Sequence, residues 1–139
     1  MSRHPDSPRR AAHNGGKWCR PSTRLAVYLR DGLCCLWCGR GLEDEVALTL
    51  DHLTAVAEGG GNEPENLVTA CMPCNHRRGA TPRDEWCASL GGDVAVRVRE
   101  HVARDLAPHR QAARRLVAER PAWLRALRAR SSTTHRAGR

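Results

Sequence analysis

Hydrophobic and polar positions divide the chain into stretches of different period. Residues 1–16 have none: Pro, Arg and Gly dominate, and a disordered basic arm is expected. From Ser22 the pattern turns helical. Ser22 or Thr23 can cap, Leu25, Ala26 and Leu29 share a face, and Asp31-Gly32 ends the run. Val46 to Leu50 predicts a short strand that delivers Asp51 and His52 at its C-terminal end. Glu58 to Pro64 is a flexible loop by composition, and Asn66-Leu67-Val68-Thr69 follows it. Pro73 suits the start of a short helix through Asn75, His76 and Arg77, with Gly79 as its stop. Beyond Thr81-Pro82, Val94, Val98, Val102 and Leu106 form an apolar helical stripe. Pro108 and Pro121 divide that region into roughly three helices. The expected organisation is a basic arm (1–16), a central domain (17–82), a helical extension (83–130) and a loose tail (131–139).

Composition narrows how such a chain is held together. At 139 residues, with 4% aromatics and no Phe, it suits one small domain plus extensions and lacks a large aromatic core. Domains short of core lean on a metal or on disulfides, and seven cysteines can supply either. The first residues carry no apolar run resembling a signal peptide, and no segment approaches the length of a membrane span. A cytoplasmic protein is therefore expected, where thiols stay reduced and bind metal.

The net charge of +8 is unevenly spread. Residues 1–30 carry seven basic and one acidic side chain, residues 31–81 three and eight, and residues 82–139 thirteen and six. Basic flanks around an acidic centre suit a phosphate-binding surface beside a divalent-cation site. Lys17 is the only lysine; the remainder is Arg, whose fork matches phosphate oxygens.

Two Cys-x-x-Cys pairs, Cys35/Cys38 and Cys71/Cys74, stand 32 residues apart. Two intervening residues let both sulfurs of a pair reach one ion, and two pairs close a tetrahedral four-sulfur zinc site. Such a site has no open position for water, so its expected role is structural. Cys34 offers a rival pairing with Cys38, but Cys35-x-x-Cys38-Gly39 is the tighter knuckle. Cys19 and Cys87 read as small packing residues.

Between and around these knuckles the chain resembles the zinc-knuckle branch of the HNH endonucleases. The resemblance rests on Arg30-Asp31-Gly32, Cys35-Leu36-Trp37-Cys38-Gly39, Leu50-Asp51-His52 and Gly59-Gly60. It continues through Glu65-Asn66-Leu67-Val68, Cys71-Met72-Pro73-Cys74-Asn75 and Arg78-Gly79, covering roughly residues 22–82. It implies an α+β fold with a ββα-metal core, in which a hairpin bearing Asp-His packs on a helix bearing the last polar ligand. Asp51 and Asn75 would hold a catalytic Mg²⁺ or Mn²⁺, with His76 next in line as a ligand. His52 would be the general base. Asn66 would shape the loop and orient His52 through a hydrogen bond. Arg77, Arg78 and Arg40 would contact DNA.

The residue types suit phosphodiester hydrolysis on their own chemistry. A histidine titrating near neutrality can take a proton from water, and a hard cation on oxygen ligands can neutralise developing phosphorane charge. A metal-dependent DNA endonuclease is the leading expectation. A non-catalytic zinc-knuckle DNA-binding protein is the alternative, although it would be free to lose Asp51, His52, Asn66 and Asn75. A ribbon-type protein-interaction module would need neither Asp-His nor basic flanks. With one active site per chain, a double-strand break would call for a homodimer or for sequential nicks.

Overall fold

The computed structural model describes residues 18–137, with side chains described as far as Arg130. The basic arm expected over 1–16 lies outside the described residues. Helix α1 (Pro21–Arg30) leads through a 3₁₀ turn (Leu42–Asp44) to strand β1 (Leu48–His52). Two further 3₁₀ turns precede strand β2 (Leu67–Cys71), which runs directly into helix α2 (Met72–Arg78). Helices α3 (Arg83–Leu90), α4 (Val94–Val102), α5 (Ala107–Glu119) and α6 (Ala122–Ala137) complete the α+β chain.

The two strands pair antiparallel, with Leu48 opposite Cys71 and His52 opposite Leu67. Side chains alternate across a strand, so the hairpin has two coverable faces. Leu48, Leu50 and Leu67 face a core shared with Leu25 and Val27 of α1, Ala113 of α5 and Leu124 and Leu127 of α6. Val68 and Ala70 face the second core, with Cys35, Leu36, Trp37, Trp86, Val94 and Val98. Both faces of β2 are therefore dry, and every one of its residues is buried. The C-terminal helices serve as walls on both sides of the hairpin, which is why the extension carries an apolar stripe.

A buried ion pair fixes the first helix to this frame. Arg30 donates from Nε to Asp31 Oδ1 (2.8 Å) and from Nη2 to Asp31 Oδ2 (3.1 Å). It also reaches the Leu67 and Pro64 carbonyls at 2.7 and 3.0 Å, while Asp31 Oδ2 accepts from the Thr69 backbone N–H at 2.9 Å. Both residues are buried, so every polar atom here needs its partner; removing one member of such a pair typically costs about 3–5 kcal/mol. The pair ties the end of α1 to the start of β2, and so holds the hairpin's register.

Several boundaries differ from those the sequence predicts. The strand begins at Leu48 rather than Val46, and Asp51 and His52 are its last two residues, because pairing with β2 runs to Leu67. The extension holds four helices instead of three: Gly91-Gly92 breaks it at positive φ (+73° and +59°) before the Val94 stripe starts. Pro108 lies inside the first turn of α5, where its missing N–H costs nothing, and it marks the boundary between α4 and α5 as the sequence predicts. Residues 131–137, expected as a loose tail, continue α6 to Ala137.

Candidate active site and zinc knuckle

The knuckle forms because the chain turns sharply at Gly39 (φ +86°), letting Gly39 N–H reach the Cys35 carbonyl at 2.8 Å. Leu36 N–H meanwhile reaches the Thr69 carbonyl at 2.9 Å, which lays the knuckle against β2. Cys71 ends β2 and Cys74 sits in the first turn of α2, so the second pair comes from a strand-to-helix junction. The four sulfurs of Cys35, Cys38, Cys71 and Cys74 all lie within 4.8 Å of one another. Cys38 and Cys71 are 3.7 Å apart, close to the roughly 3.8 Å edge of a tetrahedron with about 2.3 Å metal–sulfur bonds. The donor set and spacing fit zinc. Cys34 stands outside the cluster, its sulfur 3.3 Å from the Asp31 carbonyl, and Cys19 and Cys87 are buried in the two cores.

Burial, reinforced by the neighbouring sulfurs, raises the Cys35 thiol to about 11 and raises Cys74 as well. At Cys38 partial burial acts in the same upward sense, but hydrogen bonds from Arg40 overcome it and bring the thiol down to about 6. A cation among the four sulfurs would offset that burial cost. Four thiolates around a divalent ion leave a formal surplus of two negative charges, and two guanidiniums sit on the sulfurs. Arg40 donates to Cys38 (3.4 Å) and Cys71 (3.6 Å), and Arg77 to Cys74 (3.3 Å). Both arginines, expected at DNA, have sulfur contacts here, although both remain exposed.

On the other side of the hairpin's end lies an open cleft of about 430 Å³, lined by Asp51, His52, Asn75, Arg78, the 79–82 turn and the start of α3 among others. Asp51 and His52 are consecutive strand residues, so they approach it from opposite faces of β1. Asp51 belongs to the knuckle side. Its Oδ2 accepts from Trp37 Nε1 at 2.9 Å, and its Oδ1 lies 3.1 Å from Arg78 Nη1. A carboxylate offers about four lone-pair positions, so roughly two remain for a cation. Asn75 is half-buried at the cleft, one residue past Cys74, and no hydrogen bond among the described residues occupies its amide. His76, the next ligand in line, is exposed and does not line the cleft.

His52 belongs to the α1 side. Its ring stacks obliquely on Trp18, with centroids 4.9 Å apart and planes at 32°, and its Nε2 lies 2.8 Å from Asn62 Oδ1. Asn66, expected to hydrogen-bond His52, instead clamps the loop between them. Its Oδ1 accepts from Thr54 N–H (2.9 Å), and its Nδ2 donates to the carbonyls of Thr54 (3.0 Å) and Gly61 (2.9 Å). Gly60 allows this crowding: a Cβ there would collide with the Thr54 carbonyl oxygen and press on the Asn66 amide. Asn66 therefore bears on His52 only through the loop that carries Asn62.

Arg78 also differs from its expected place beside a phosphate. It is 5% exposed, with Nε on the Thr81 carbonyl, Nη1 on the His52 carbonyl and Nη2 on that of Leu53, at 2.9, 2.9 and 3.1 Å. With Asp51 added and the Trp37 ring 5.6 Å away, its donors are taken up in joining α2 to the end of β1. Trp18 and Asn62 are site residues that the sequence did not single out, and Trp37 belongs to the knuckle motif, which assigns it no role at Asp51. Each reaches the site from a different element.

No curated protein and no solved structure matches the chain. A family model described as HNH endonuclease matches residues 35–81, from the first knuckle cysteine to the turn after α2. That stretch contains both knuckles, Asp51, His52, Asn66 and Asn75, so the similarity to the HNH endonuclease family spans the cysteine cluster and the cleft residues together.

Proposed function

We propose that the protein is a metal-dependent endonuclease that hydrolyses DNA phosphodiester bonds, with His52 as general base. The observation that carries this reading is the convergence of Asp51, His52 and Asn75 on one open cleft beside a four-cysteine cluster. Asp51 and Asn75 offer one anionic and one neutral oxygen, a set suited to Mg²⁺ or Mn²⁺. When bound, such a cation supplies Lewis-acid neutralisation of the charge that builds on the phosphate and the leaving oxygen.

The chain's own residues supply the rest. With the Asn62 amide oxygen facing Nε2, the imidazole carries its proton there and keeps the Nδ1 lone pair for a water proton. The water oxygen then forms its bond to phosphorus as the bond to the leaving oxygen breaks. Trp18 and Asn62 hold the ring from its face and its edge, which limits the orientations it samples. Trp37 and Arg78 hold Asp51 and balance its charge, so the carboxylate is oriented before any cation arrives. The cysteine cluster, filled by zinc, keeps α2 and its Asn75 at a set distance from the hairpin. A zinc held there by four sulfurs would have no open position and would take no part in the chemistry.

The test is conversion of supercoiled plasmid by the purified full chain, with Mg²⁺, Mn²⁺ or no added divalent cation. The reading expects nicked or linear product only with added cation. Metal-independent cleavage, or DNA binding without cleavage under any of these cations, would overturn it; the second result would favour a DNA-binding protein.

A further inference from the structure

Beyond residues 35–81, three arginines from three different helices collect around Cys19, and one of them, Arg24, reaches toward the candidate base through Trp18. Arg24 of α1 and Arg128 of α6 line the same hollow, with Tyr28, Leu124 and Leu127 between them. Arg110 of α5 reaches Thr23 Oγ1 at 3.4 Å, and Arg24 and Arg110 are the two cations that bear on the Cys19 thiol. Among the described residues, no carboxylate pairs with any of the three. Elsewhere the pattern is different. Arg30, Arg78, Arg97 and Arg104 all turn their donors onto backbone carbonyls.

The cluster is joined to the cleft by an aromatic bridge. The Arg24 guanidinium lies 5.5 Å from the centre of the Trp18 ring, and Trp18 stacks on His52. Helices α1, α5 and α6 together contain nine arginines and a single carboxylate, Glu119. Like charges gathered without counter-charges cost repulsion unless an anion is shared among them. A polyanion running past His52 would meet these three guanidiniums next, and their forks match phosphate oxygens.

We infer that Arg24, Arg110 and Arg128 form a phosphate-binding ledge that holds the backbone of duplex DNA flanking the cleft. The inference rests on the nuclease reading for the identity of the polyanion. Trp18 makes the ledge continuous with the site, so DNA seated on it passes over His52. The ledge lies on the helical extension and α1, outside the matched domain, and so adds to that domain a surface of this chain's own.

The test is fluorescence-anisotropy binding of a 20-base-pair duplex across a KCl series, using the full chain with His52→Ala so that the DNA stays intact. Each phosphate neutralised contributes about 0.9 to the slope of log K against log salt. Arg24→Gln/Arg110→Gln/Arg128→Gln should therefore make the slope shallower by about 2–3. The matching triple Lys variant should keep most of the slope, and Arg99→Gln on α4, away from both the hollow and the cleft, should leave it unchanged. An unaltered slope in the triple Gln variant, with zinc content and helicity retained, overturns the ledge while wild-type cleavage leaves the nuclease reading standing. Loss of slope in a protein whose wild type never cleaves would keep the ledge and remove the nuclease. No binding by the parent chain would overturn the ledge outright.

Discussion

The Trp37 indole N–H donates to Asp51 Oδ2 at 2.9 Å, so a residue inside the first Cys-x-x-Cys knuckle directly holds the carboxylate of the candidate metal site. The scaffold and the chemistry are therefore joined by a hydrogen bond between side chains 14 positions apart. Trp37 also packs edge-on against Trp86 of α3, with centroids 6.3 Å apart, so the extension braces the same contact. Trp37→Phe keeps much of this packing and removes the donor. Partners of this kind tune metal affinity by about 10–100-fold. The Mg²⁺ or Mn²⁺ concentration for half-maximal cleavage should rise by that order, with zinc content unchanged; an unshifted metal titration would contradict the role given to Trp37.

Arg40 and Arg77 should matter to zinc more than to DNA. Both donate to cluster sulfurs and offset charge that the four thiolates leave over. Arg40→Ala/Arg77→Ala should lose zinc to a chelating dye several-fold faster than wild type, at equal DNA affinity in low metal. If zinc release is unchanged and DNA binding falls instead, the two arginines are DNA contacts after all.

Asn66 makes three hydrogen bonds to the loop that carries Asn62, in a position that is 9% exposed. Asn66→Ala leaves the Thr54 N–H and two carbonyls without these partners. An unmet buried group costs about 1–3 kcal/mol, and solvent entering the loop will recover part of the total. The melting temperature should fall by several degrees, and cleavage should fall further than stability alone explains because Asn62 leaves His52. Full activity in a folded Asn66→Ala protein would separate the loop from catalysis.

Asn62→Ala tests the base more locally. It removes the partner of Nε2 without touching the buried clamp, so stability should change little. Turnover should drop by an amount in the range of about 10-fold or more, given that positioned acid–base groups contribute about 10²–10⁴-fold in all. Asn62→Asp, which keeps an acceptor, should recover most of the loss. An Asn62→Ala enzyme with wild-type turnover would leave Nε2 orientation without consequence.

Much of the site could be read from the chain because its parts have short spacings and fixed chemistry. Two Cys-x-x-Cys pairs specify a four-sulfur cluster almost regardless of context, and the cluster is there with Cys35 in it and Cys34 outside. The Asp51-His52 step at a strand end and the helix stopped at Gly79 are local features of the same kind. What was not legible depends on where distant segments meet. The fate of Arg78 is set by carbonyls of His52, Leu53 and Thr81 that fold toward it, and no helical pattern marks a buried arginine. Asn62 sits in a glycine-rich loop whose course depends on Asn66, and Trp18 reaches His52 only because α1 packs across the hairpin. The break at Gly91-Gly92 depends on two successive positive-φ residues that the apolar stripe does not mark, and Pro108 begins a helix here.

The most direct measurement is plasmid cleavage by His52→Ala beside wild type, with Mg²⁺ or Mn²⁺ added and zinc content and duplex binding followed on the same samples. The account predicts that the variant keeps its zinc and its DNA affinity and loses cleavage by at least about 10²-fold, the low end of the contribution expected from a general base. Undiminished cleavage by a folded, zinc-loaded His52→Ala protein would contradict it.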